Sequence, residues 1–168
     1  VVTLLTQGHG KLRGLAKGSR RTSPGNVARY SGGIDPLTLG QVVGMVKSGA
    51  ELMTITEWDL QDALRHFRTD LTTHRLGLYV IDLVNALVQD HDAHPVTFAI
   101  TQQALRELAQ PTEHAVALLR FQWSALVDAG FKPELHVDVR TGAELPEAVP
   151  GLAFDPRAGG IALVHPGE

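Results

Sequence analysis

The chain has 168 residues, 43% of them apolar and 20% charged, with a formal net charge of −3 and no cysteine. That composition excludes a disordered polyelectrolyte, and the missing thiols exclude disulfides, thiolate catalysis and thiolate metal sites within these residues. The charge is uneven. Residues 1–34 hold six cations (Lys11, Arg13, Lys17, Arg20, Arg21 and Arg29) and no Asp or Glu, which leaves nine cations against eighteen acids in the rest. A basic head on an acidic body points to a polyanionic partner for the head alone.

In chain order, "VVTLLTQGHGKLRGLAKGSRR" reads as two short strands around the turn "QGHG", where Gly8 and Gly10 can supply positive φ. "TSPGNVARYSGG" (22–33) reads as a loop on its Pro and Gly content. "PLTLGQVVGMVKSGAELMTITE" (36–57) returns to strands with a turn at Gly49. Three to five short strands at this spacing predict a small barrel over residues 1–57. A strand that begins at the first residue also raises the expectation of an earlier start and a missing first strand.

From Thr56 the apolar period changes to that of a helix. Thr56 and Asp59 have the spacing of a capping box, and Leu60, Ala63, Leu64, Phe67 and Leu71 fall on one helical face. "RLGLYVIDLVNALVQDH" is apolar around most of its circumference, as a central bundle helix would be, and its apolar run is too short to cross a bilayer. "PVTFAITQQALRELAQ" opens on Pro95, and "PTEHAVALLRFQWSALVDAGFKP" ends with Gly130 as a left-handed cap and Pro133 beyond. Four antiparallel helices are therefore expected over 58–130, within a helical domain 58–168. The tail, 131–168, suggests two small hairpins from "LHVDV" and "GIALVH". The fold class is α+β, strands first and helices after, and the absence of a signal pattern suggests a cytoplasmic protein.

In a strand, Lys11 and Arg13 share one face with Lys17, while Leu12 and Ala16 can turn inward. From Lys11 to Lys17 these cations extend over roughly 20 Å, a length that meets several phosphates of a nucleic acid, and Arg20 and Arg21 follow at the loop. A solvated basic face has the same composition, but the lack of any acid through residue 34 favours a phosphate-binding surface without sequence readout. Tyr30 and His9 are the nearby aromatic rings, and Tyr30 is equally suited to packing. "HDAH" (91–94) brings two imidazoles and a carboxylate close together without a third ligand. No phosphate loop, dinucleotide fingerprint, nucleophile elbow or zinc-protease helix is found, so no enzyme is indicated. Arg120 and Trp123 could form a cation-bearing apolar notch, although a Trp at helical spacing is usually core.

The stretch His9-Gly10-Lys11-Leu12-Arg13-Gly14-Leu15-Ala16-Lys17-Gly18-Ser19-Arg20-Arg21, following V-T-L-L-T, closely resembles the amino-terminal barrel of the RecO family of bacterial DNA repair proteins. "SGGIDPLTL", "ELMTITEWDLQDALRHFRTDL" and "LLRFQWSALVDAGFKPEL" resemble later family segments more loosely. The resemblance implies an OB-fold barrel followed by a helical domain. It implies binding of single- and double-stranded DNA, annealing of complementary strands, and help, with RecR, for RecA to displace single-strand binding protein. On that reading Lys11, Arg13, Lys17, Arg20 and Arg21 contact DNA, and Arg120 and Lys132 are weaker partner-binding candidates.

Many family members hold zinc with cysteines spaced C-x-x-C-G and then G-G-x-x-C-x-x-C. Here the first pair falls on Asp138 and Thr141, the second at about Leu163 and Pro166. His136, Asp138 and His165 are too few for a tetrahedral site, so the tail reads as a degenerate, zinc-free remnant and no cofactor is expected. Two rival readings remain: a scaffold of the same descent that has lost DNA binding and docks RecR or the acidic tail of single-strand binding protein, and an OB-fold RNA binder.

Overall fold

The computed structural model describes residues 1–19, 23–47, 49–149 and 151–164. They form two compact units, Val1–Phe121 and Gln122–Glu168, and the division falls inside a helix. The α+β order expected from the sequence holds, with strands first and helices after.

In the first unit, β1 (Val2–Thr6) and β2 (Gly10–Leu15) form an antiparallel hairpin, with Leu4 opposite Leu12 and Thr3 opposite Arg13. β3 (Tyr30–Ser31), β4 (Leu39–Met45) and β5 (Met53–Asp62) complete a five-stranded sheet in which β5 pairs with β2, β3 and β4. The arrangement is OB-like but open. β1 pairs with β2, β4 pairs with β5, and among the described residues no strand joins β1 to β4. Leu12, Tyr30, Met53, Ile55 and Trp58 are buried together, with Val2, Leu4, Ala16, Ile34, Val42 and Leu60 packed around them.

Three expectations are corrected here. Residues 24–29 are not loop: Pro24 opens a short helix, α1 (Pro24–Arg29), where its fixed φ suits the first turn. β5 does not stop at residue 57 but runs to Asp62, so Thr56 and Asp59 lie in a strand and cap no helix. The pairing of β4 with β5 slips between Val43 and Gly44, whose partners are Glu57 and Ile55, leaving Thr56 as a bulge. The slip puts Ile55 and Trp58 in the same core at a spacing of three, which imitates a helical period.

The four expected helices are three, with two 3₁₀ turns at Arg65–Arg68 and Pro111–Glu113. α2 (Leu71–Leu87) starts where the Asp70 carboxylate accepts from the Thr73 N–H at 2.6 Å, an N-cap bond that holds the Asp70 carboxyl below its ordinary range. Its buried residues are Thr73, Gly77, Val80 and Val84, a single stripe, while Leu71, Leu78 and Tyr79 are exposed. It is amphipathic, not a central helix. α3 (Pro95–Glu107) begins on Pro95 as expected. β1, β4, β5, α2 and α3 line a largely apolar groove of about 1330 Å³. Trp58, 5% exposed, stands in its wall with the indole Nε1 unpartnered among the described residues.

α4 (His114–Asp128) ends in the second unit as predicted. Gly130 has φ 80°, and Phe131 N–H and Gly130 N–H return to the Leu126 and Val127 carbonyls at 2.8 and 3.1 Å, a Schellman closure. Beyond it, β6 (Leu152–Asp155) and β7 (Gly160–Leu163) form one hairpin. The second expected hairpin reduces to a single bridge, Val137 to Glu144. Among the described residues no helix is long and apolar enough to cross a membrane.

Candidate nucleic-acid interface

β2 alternates as the sequence predicted, with Leu12 buried and Arg13 exposed. Lys11 departs from that pattern in what its ammonium does. The side chain is only 15% exposed, and Nζ donates to the Asn85 carbonyl at 2.9 Å and pairs with Asp90 Oδ1 at 3.3 Å. The Lys11 carbonyl in turn accepts from His91 N–H at 3.0 Å. Asn85 lies in the last turn of α2, where carbonyls have no helical partner, so a cation there satisfies an orphan acceptor and complements the helix dipole. Lys11 thus ties the basic hairpin to the end of α2.

Arg13 and Lys17 are exposed, and neither side chain has a hydrogen-bond or ion-pair partner among the described residues. β2 ends at Leu15, so Lys17 stands in the following turn rather than in the strand. Arg20 and Arg21 lie outside the described residues. Tyr30 is core: its hydroxyl donates to the Ile55 carbonyl at 2.9 Å and to the Lys17 carbonyl at 3.3 Å, which fixes the bulged strand and the turn after β2 together. His9 stays exposed in the β1–β2 turn.

Two further cations join Arg13 and Lys17: Arg29, counted in the basic head but not among the expected contacts, and Lys47. Arg29 is exposed at the end of α1, and Lys47 is exposed just after β4. Thr54 pairs with Met45 on one side and Leu15 on the other, so β4, β5 and β2 lie side by side. Lys47 leaves the end of that sheet at which Arg13 precedes Gly14, the partner of Met53. The register that relates these two is invisible in a charge count. Glu57 and Asp59 are exposed farther along β5, and they bound the basic surface on that side.

The partner-binding candidates separate. Arg120 Nη1 donates to both Glu107 oxygens, at 2.7 and 2.8 Å, so its charge is already answered. Lys132 is exposed with no partner among the described residues. Trp123 is exposed rather than core, because the buried stripe of α4 runs through Ala117, Phe121 and Ala125 and leaves position 123 off it. In "HDAH", His94 Nε2 lies 3.2 Å from Asp92 Oδ2, while His91 occupies a turn with φ 63°.

The zinc implied by the family resemblance does not fit this donor set. Asp138 spends both oxygens on backbone amides, from Arg140 and Thr141 on Oδ1 and from Leu163 on Oδ2. Thr141 and Leu163 offer no thiolate, and His165 and Pro166 lie outside the described residues. Among the described residues no group of three His, Asp or Glu side chains could hold a metal ion.

An OB-like sheet that presents Arg13 and the following Lys17 with no acidic partner among the described residues, and is followed by helices, is an architecture suited to holding a polyanion. The family descriptions Recombination protein O N terminal and Recombination protein O C terminal match residues 1–64 and 68–163. Similar relatives are the DNA repair protein RecO of Anaeromyxobacter sp. (strain K), 31% identical over 95% of this chain and 61% of its own length, and that of Myxococcus xanthus, 31% identical over 79% and 52%. The DNA repair protein RecO of Bacillus pumilus is 28% identical over 84% of this chain and 53% of its own. The chain belongs to the recombination protein O family, and it spans between half and two thirds of the length of these relatives.

Proposed function

We propose that this chain serves recombinational DNA repair by binding DNA through the backbone phosphates, on the surface formed by β2 and the turn after it. The observation that carries the reading is the pair Arg13 and Lys17, exposed and with side chains unpaired among the described residues, in a stretch of 34 residues without a carboxylate. With Tyr30 packed inside, little base stacking is available nearby. Binding therefore rests on charge and is indifferent to sequence. Arg29 and Lys47, both exposed, extend the same surface. Lys11 supports it from behind.

Annealing of complementary strands, and assistance to RecA together with RecR at DNA covered by single-strand binding protein, are the activities this surface would serve. Both require binding without catalytic turnover.

The test is fluorescence anisotropy of labelled single-stranded DNA across a salt series, beside a variant in which Arg13, Lys17, Arg20 and Arg21 are all alanine. If four cations meet phosphates, log K falls with a slope of about −3 against log salt, from roughly −0.7 per contact. A variant that kept that slope would refute the surface. Competition with RNA of equal length separates a DNA binder from an RNA binder.

A further inference from the structure

Two five-residue turns in the second unit share one plan. Asp138-Val139-Arg140-Thr141-Gly142 and Asp155-Pro156-Arg157-Ala158-Gly159 each begin on Asp and end on a Gly with positive φ, 73° and 75°. In the first, Asp138 Oδ1 accepts from the backbone N–H groups of Arg140 and Thr141, at 2.8 and 2.9 Å. In the second, Asp155 Oδ1 accepts from Arg157 and Ala158, at 3.0 and 3.1 Å. Each Gly N–H then closes its turn on the Asp carbonyl, at 2.7 and 2.9 Å.

The second carboxylate oxygens differ. Asp138 Oδ2 accepts from Leu163 N–H at 2.8 Å, across 25 residues, and so joins the first turn to β7. Asp155 Oδ2 takes a longer bond, 3.4 Å, from Arg140 Nε. Asp138 is 1% exposed, and backbone bonds from Glu134 to Gly159, Ile161 to Glu134 and Val139 to Ile161, each 3.0 Å, surround it. A carboxylate at such depth is tolerated only when its oxygens are well supplied with donors, and bonds to an ionised acceptor are the stronger kind.

We propose that the Asp138 carboxylate is the cross-link of this unit, doing with three backbone hydrogen bonds the joining that cysteine-bearing relatives do with a metal ion. The placement that the family resemblance implies supports it: the first cysteine of one pair falls on Asp138 and that of the other at about Leu163. One side chain bridges the two positions directly. The same amides hold the Asp138 carboxyl below the usual range, with Leu163 N–H the largest cause. The unit therefore folds without zinc.

Amide hydrogen exchange on the whole chain, read by NMR, tests the bond itself, and metal analysis tests the independence from zinc. In the wild type the Leu163, Arg140 and Thr141 amides exchange slowly, no stoichiometric zinc accompanies the purified protein, and a chelator leaves its Tm unchanged. Asp138→Asn raises Leu163 exchange at least about tenfold, the loss of one strong hydrogen bond. Asp155→Ala instead frees Arg157 and Ala158 and leaves Leu163 protected. Unprotected Leu163 in the wild type, bound zinc whose removal lowers Tm, or equal effects of the two variants on Leu163 would each overturn the proposal. Should Asp138→Asn fail to fold, the wild-type exchange and metal content decide alone. None of these readouts involves DNA, so their failure leaves the DNA-binding reading standing.

Discussion

Lys11 Nζ lies 2.9 Å from the Asn85 carbonyl, and this bond turns one member of a basic cluster into a strut. Lys11→Ala removes a largely buried charged donor and leaves a helix-terminal carbonyl without its partner. A loss of about 1.5–3 kcal/mol of stability is expected. Chemical denaturation measures it. The salt slope of DNA binding, taken well below the new Tm, stays as in the wild type, because this ammonium meets protein rather than phosphate.

Arg13 and Lys17 should behave in the opposite way. The double variant Arg13→Ala, Lys17→Ala changes stability within about 0.5 kcal/mol, as surface substitutions do. Its salt slope falls by about 1.4, two contacts at roughly 0.7 each. An unchanged slope in an anisotropy titration would move the interface elsewhere.

Gly10 cannot take a side chain. Its φ is 67°, and a Cβ there would collide with the Asp92 carbonyl. Gly10→Ala combines left-handed strain with a collision against backbone, so a loss of at least about 2 kcal/mol is expected. Thermal unfolding of that variant beside Gly8→Ala, where nothing lies within 4 Å, isolates the contact.

Asp70 sets an acid limit. Its folded-state carboxyl sits below the ordinary 3.8, chiefly because Thr73 N–H bonds to the ionised form. A depressed carboxylate contributes stability that is complete above the unfolded value and disappears as the pH falls through the folded value. Tm should therefore hold above pH about 4 and decline below it, from Asp70 together with Glu134, Asp138 and Asp155, whose carboxyls are lowered in the same way. Asp70→Ala lowers Tm at neutral pH and makes the acid decline shallower. A decline equally steep in that variant would rule Asp70 out.

Local signals in the sequence led to the hairpin of β1 and β2, the Pro95 start of α3 and the Gly130 end of α4, because each is set by residues a few positions apart. The strand that carries the core was misread from Thr56 onward. A bulge there changes which side chains share a face, and a bulge is a property of two paired strands, not of one. The same holds for the site. The cluster of cations was legible as charge, but Lys11 differs from Arg13 only through Asn85 and Asp90, more than seventy residues on. Tyr30 looked equally able to stack or to pack until Ile55 supplied an acceptor for its hydroxyl.

The turn that Asp138 closes has a chemical consequence under stress. Peroxide and hypochlorite eject zinc from thiolate sites by oxidising the sulfur, and carboxylates and backbone amides react with them far more slowly. The two sulfurs of these 168 residues belong to Met45, 57% exposed on the edge strand, and Met53, buried in the sheet. Oxidants that break DNA would thus leave this cross-link untouched and mark the protein first at Met45.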